Sequence, residues 1–183
     1  MDGDGIQFLR NTMTENGNRG DVSELRKVSR VLEQGKEKVG RSLTKEEIQA
    51  GLDALWNDGG VEGALAAVER AAKLASVPRE KKLALGIHEY LDDFAKQRNA
   101  HTWEDFPDIV NWKEGVLSAL SEPDMEIVFN LDGIDNLWTS VMRAVSVGDR
   151  ATDWELLQIK SNPEVWNRVT WYRNGSIVSN PFE

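Results

Sequence analysis

The spacing of apolar residues divides the chain into helical segments followed by strand-like ones. In "DVSELRKVSRVLEQG", Leu25, Val28, Val31 and Leu32 recur on one face of a 3.6-residue period, Asp21 and Glu24 have capping-box spacing, and Gly35 is placed to end the helix. "SLTKEEIQAGLDALWNDGG" follows the same plan, with Thr44 and Glu47 at its start, Ile48, Leu52 and Leu55 as its stripe and Gly59-Gly60 as its stop. "VEGALAAVERAAKLAS" is Ala-rich and helical up to Pro78. Residues 1–77 therefore read as a small helical bundle, with a soft boundary near 76–80.

After Pro78, "REKKLALGIHEYLDDFAKQRN" reads as one amphipathic helix whose apolar side is Leu83, Ile87, Tyr90, Leu91 and Phe94, with His88 beside that stripe. "DIVNWKEGVLSALSE" predicts another helix, stopped near Pro123. "MEIVFNLDG" then alternates as a strand, "NLWTSVMRAVSVG" and "TDWELLQIKS" return to helix, and Thr152 with Glu155 predicts a capping box on the second. "RVTWYRNGSIVS" is a hairpin turning at Asn174-Gly175, the pair suited to the positive φ angles of a type I′ turn. The expected class is α+β: an N-terminal helical bundle (1–77) followed by helices packed on a small antiparallel sheet (78–183).

Composition narrows the chemistry. The chain has no cysteine, which removes disulfides, thiolate metal sites and a Cys nucleophile, and with two histidines a His-rich zinc site is not expected. No run of apolar residues reaches membrane-spanning length, and the start "MDGDGIQFLRNTMTENG" lacks the apolar stretch of a signal peptide, so no stable membrane insertion is expected. The net charge of −9 disfavours nucleic acid at first sight, but the excess is local: residues 85–136 carry 12 acids against 3 bases, while the flanking parts balance.

His88 and His101 are the side chains whose ordinary pKa suits acid–base work at neutral pH, and each also reads as a plain helix or loop residue. Glu89, Asp92 and Asp93 cluster on one helix, which more often makes a solvated face than a metal site; no metal and no cofactor is expected. Arg143, Arg150, Lys160, Arg168 and Arg173, with Ser140, Thr152 and Tyr172, could converge on a phosphate, and Trp154, Trp166 and Trp171 could stack on bases. The competing reading makes these residues caps and core. No Walker loop, G-x-G-x-x-G, G-x-S-x-G or H-E-x-x-H occurs.

"IHEYLDDFAKQ", "AHTWEDF", "MEIVFNLDGID" and "ATDWELLQIKSNPEVWNRVTWYRNGSIVSNPF", in that order, resemble the toxin domains at the C-terminal tips of bacterial polymorphic toxins, including contact-dependent growth inhibition proteins. The resemblance covers residues 80–183 and is most specific in "TDWELLQI", "VTWYRNG" and the terminal "NPF". It implies the barnase, EndoU, colicin and RelE grouping of ribonucleases, in which the 2′-hydroxyl attacks the neighbouring phosphate without a metal. It further implies an RNA substrate, with tRNA expected, a cognate immunity protein, and delivery as part of a larger secreted or cell-surface protein that acts in the target-cell cytoplasm. On this basis the helical leader would mediate uptake, in contact with an envelope protein of the target cell. The roles implied are His88 as acid–base residue with His101 as competing base, Arg143 and Thr152 as phosphate donors, Glu155 and Lys160 as supporting or catalytic groups, and Arg150, Trp154, Arg168 and Tyr172 as RNA contacts. Two other functions fit the same residues: an ADP-ribosyltransferase-type toxin, or a non-enzymatic module whose acidic middle binds a basic protein.

Overall fold

The computed structural model describes residues 22–105, 112–148 and 150–183. Helix α1 (Val22–Val39) buries Val28 and Val31 of its predicted stripe and partly covers Leu32, but leaves Leu25 at the N-terminal end exposed; the proposed cap Asp21 lies outside the described residues. The helix runs through Gly35 and ends at Gly40, whose φ of +80° and N–H bond to the Lys36 carbonyl close it. Gly35 instead serves packing, since a Cβ there would lie 3.2 Å from Leu43 and 3.3 Å from Val68. Helix α2 (Lys45–Ala54) has the predicted capping box, with the Thr44 hydroxyl accepting from the Glu47 N–H and the Glu47 carboxylate accepting from the Thr44 N–H. A π-turn (Leu55–Gly59) leads into α3 (Gly60–Ser76) where a full stop was expected. Val28, Val31, Leu52, Leu55, Ala64 and Val68 form the core of these three helices.

The segment after Pro78 departs from the predicted single helix. It begins with a strand, β1 (Lys82–Gly86), and only then becomes helix α4 (His88–Arg98), closed by Asn99 in the left-handed conformation. The strand was hidden because every residue of it is buried, and a strand buried on both faces is a short apolar run without alternation. The chain continues through α5 (Trp112–Ser121), β2 (Glu126–Asn130), α6 (Leu137–Ser146), α7 (Ala151–Ser161), β3 (Val169–Arg173) and β4 (Ser176–Val178). Helices thus pack on a small sheet, as expected for an α+β chain, but the sheet is not simply antiparallel. Its order is β1-β2-β3-β4, with β1–β2 and β2–β3 parallel and only the β3–β4 hairpin antiparallel. The hairpin turns at Asn174 (φ +52°) and Gly175 (φ +76°), as a type I′ turn requires. Two parallel steps demand crossovers, which α4 with α5 and α6 with α7 supply.

Side chains alternate cleanly across the sheet. Leu83, Leu85, Ile127, Phe129, Val169 and Trp171 face a core shared with Val116 of α5, Val141 of α6, and Leu156 and Ile159 of α7. Ala84, Val128 and Tyr172 face the other side, against Leu91 and Phe94 of α4 and Leu74 of α3. The helical leader is fastened there by charge: the buried Glu126 carboxylate meets Lys73 at 2.6 Å and Arg70 at 3.5 Å, and Arg70 also donates to the Asn167 carbonyl at 2.6 Å. Among the described residues no helix is long and apolar enough to cross a membrane.

Gly86 is the tightest point of this frame. Its φ is +146°, and a Cβ built on it would sit 2.9 Å from the Asn130 carbonyl oxygen, a backbone atom fixed by the sheet. Gly86→Ala is expected to cost about 1–3 kcal/mol in urea unfolding; a loss below about 0.5 kcal/mol would show that the two strand ends have room to separate.

Candidate functional site

Parallel strands with helices on both faces leave a crevice outside their carboxyl ends, because the chain leaves each strand there for a different helix. Here the crevice has a volume of about 900 Å³ and is walled by Gly86, Ile87 and His88 after β1, by Gly133 to Asn136 after β2, by Thr139, Ser140 and Arg143 of α6, and by Arg150 to Asp153 and Glu155 of α7, with Trp103 and Glu104 across from them. The first turns of α4, α6 and α7 all contribute to it. The first turn of α6 is capped, since the Asn136 side chain accepts from the Thr139 N–H at 2.9 Å. Among the described residues the first turns of α4 and α7 have no side-chain cap. Their leading N–H groups therefore present partial positive charge to the crevice, the arrangement that suits an anion.

Thr152 was expected to cap α7; Arg150 holds that position without a capping bond, and Thr152 does something else. Its hydroxyl donates to the Gly86 carbonyl at 3.0 Å, while Glu155, one turn later, accepts from the Gly86 N–H. The two side chains together hold both polar groups of Gly86 and dock α7 on the end of β1. The Thr152 hydroxyl hydrogen is thereby committed, so in this arrangement a phosphate would take its hydrogen bonds from backbone N–H groups and arginine instead.

Glu155 is 2% exposed, and its Oε2 has no hydrogen-bond partner among the described residues. Burial raises its carboxyl from the ordinary value of 4.5 to about 8, the bond from Gly86 only partly opposing it. At neutral pH it is therefore an uncharged carboxyl behind the crevice wall. Asp153, buried beside it, accepts from Arg143 Nη1 at 3.0 Å and so orients that guanidinium; sequence spacing does not single it out because its partner lies on another helix. His88 and Arg150 are exposed at the rim.

His88, Ser140, Arg143, Arg150, Thr152 and Glu155 thus meet in one crevice, and the other sequence candidates lie elsewhere. His101 is buried at the sheet edge, bridging Leu83 and with Nδ1 3.0 Å from the Arg79 carbonyl. Lys160 sits at the far end of α7, its Nζ 5.3 Å from the Trp138 ring. Trp154 packs edge-on against Trp112 at 5.1 Å. Arg168 donates to the carbonyls of Leu120, Glu122 and Met125, which ties α5 to the start of β2. Tyr172 is core, packed on Phe94 with the Arg98 guanidinium 4.2 Å from its ring. Glu89, Asp92 and Asp93 are solvent-exposed, and no group of His, Asp or Glu among the described residues is placed to hold a metal. Against this geometry, no protein-family model, curated protein or solved structure matches the chain.

The raised Glu155 pKa has a signed consequence. Its contribution to stability is whole below about 4.5 and is lost as pH rises through about 8, because only the folded state keeps the proton in between. Across that window the wild type is expected to lose stability relative to Glu155→Gln, by an amount on the order of a few kcal/mol in urea titrations. A difference that stays flat with pH would mean the carboxylate is already charged in the folded protein.

Proposed function

We propose that the chain is a ribonuclease that cleaves RNA, with tRNA its expected target, by 2′-hydroxyl attack on the adjacent phosphate. The observation that carries this reading is the pair of helix starts, α4 and α7, without a side-chain cap among the described residues, opening on one crevice with His88 and Arg150 at its rim and Arg143 in its wall. The phosphate would lie against the N–H groups of those first turns, with Arg150 and Arg143 balancing charge as the pentavalent state forms. His88 takes the proton from the 2′-hydroxyl, and the oxygen attacks phosphorus to form a 2′,3′-cyclic phosphate. The departing 5′-oxygen receives its proton from solvent, and the proton held by His88 is lost to solvent in turn, while the neutral Glu155 keeps the wall uncharged behind the phosphate. Glu104 and Asp135 on the same walls suit ribose hydroxyls and base amino groups, not phosphate.

Delivery within a larger secreted toxin and neutralisation by an immunity protein belong to the same proposal and rest on the resemblance of residues 80–183. Supporting the latter, α6 presents Trp138, Met142 and Val145 to solvent while its neighbouring face supplies Arg143 to the crevice, so a protein seated on α6 would lie beside the site.

Purified protein incubated with total tRNA in EDTA is expected to produce cyclic-phosphate ends, with His88→Ala slower by about a hundredfold or more. Arg150→Ala is expected to weaken substrate binding. Intact tRNA under conditions where expression of the protein still arrests growth would overturn the reading.

A further inference from the structure

We infer that the seam between α2, α3 and the sheet is a second binding site, for a small monocarboxylate whose charged end pairs with Lys82. Lys82 opens β1 and is 3% exposed. Its ammonium donates to the Leu74 carbonyl at 3.0 Å, in the last turn of α3, and has no other partner among the described residues. An ammonium carries three donors, and among the described residues only the Leu74 carbonyl accepts from this one, leaving the others free to meet a bound group. Its neighbour in register, Glu126, does not serve it, because that carboxylate is taken by Lys73 and Arg70.

The space beside Lys82 is a cavity of about 470 Å³ whose wall includes both Lys82 and its acceptor Leu74, together with Arg98 and Tyr172. Arg98 adds a second buried donor: its Nη2 reaches the Gly175 carbonyl at 3.0 Å, but its Nε is buried without a partner. Among the described residues no carboxylate is paired with either cation, although two line the same cavity. Asp53, in the same wall, is held by Gln49 at 2.6 Å and Ser176 at 3.0 Å, and Glu46 is exposed. The rest of the wall is mixed: Lys45, Gln97 and Asn99 are polar, while Ala71, Val128 and Ile177 form an apolar patch that a short hydrocarbon body could cover beyond an anionic end. Burial lowers the Lys82 pKa, and a paired carboxylate would restore its charge. Because the cavity is shared by the leader helices and the sheet, an occupant would fasten one to the other. None of these residues belongs to the crevice, so the site stands independently of the ribonuclease reading.

Acetate, butyrate, hexanoate, inorganic phosphate and chloride at equal ionic strength are to be compared by calorimetry and thermal unfolding of the full chain. The expected result is saturable binding of butyrate or hexanoate with a rise in Tm, and a loss of about tenfold or more in affinity in Lys82→Met. If Lys82→Met fails to fold, Ala71→Leu, which fills the wall without touching the charge, is expected to abolish the same binding. No saturable binding by any carboxylate, binding that survives both Lys82→Met and Ala71→Leu, or phosphate bound in preference to all carboxylates would each overturn the proposal, the first leaving Lys82 as the cap of α3 alone.

Discussion

The grip of α7 on Gly86 is the contact on which the rest of the structure depends. The Thr152 hydroxyl takes the Gly86 carbonyl and the Glu155 carboxyl takes its N–H, so the end of β1 is held by side chains where the sheet ladder stops. Gly86 accepts this only because it has no Cβ to strike the Asn130 carbonyl 2.9 Å away. Three things follow from that single point. The first strand ends flush with the second, α4 begins immediately after it, and α7 starts beside α4, neither with a side-chain cap among the described residues. A crevice lined by two helix starts is the geometric result.

The same grip limits the negative charge that an acidic chain brings to the crevice. Glu155 is buried deeply enough to stay neutral at pH 7 and Asp153 is paired with Arg143, which leaves Glu104 and Asp135 as the acids on its walls. The charged cluster Glu89, Asp92 and Asp93 faces solvent. Net charge therefore says little about the field within the crevice, where helix starts and arginines act over a few ångströms in a region partly shielded from water.

Much of the architecture is legible in the sequence. The Thr44–Glu47 box, the stripe of α1, the strand at 126–130 and the Asn174-Gly175 turn each carry local signals, because capping, amphipathic burial and positive φ are decided within a few residues. Strand β1 does not, since full burial erases the alternation that marks a strand at a surface, and "KLALG" joined to a following amphipathic run has the look of one helix. With β1 hidden, the parallel order could not be inferred and the sheet read as antiparallel. The candidate site divides in the same way. His88, Ser140, Arg143, Arg150, Thr152 and Glu155 come together, whereas Arg168, Tyr172 and Trp154 turn inward to fasten or fill the core.

By itself the sequence determined the helical first part, the helix-and-sheet second part, the hairpin at 169–178 and a short set of candidate polar residues. Those are properties of composition and of spacing along one element. Tertiary structure alone decided which of those residues meet, that Thr152 spends its proton on Gly86 and that Glu155 is neutral. It also decided that Lys82 lies buried without a counter-ion among the described residues. Each depends on contacts between segments far apart in the chain, and desolvation, which sets the charge of Glu155 and the need of Lys82, exists only once those segments have packed.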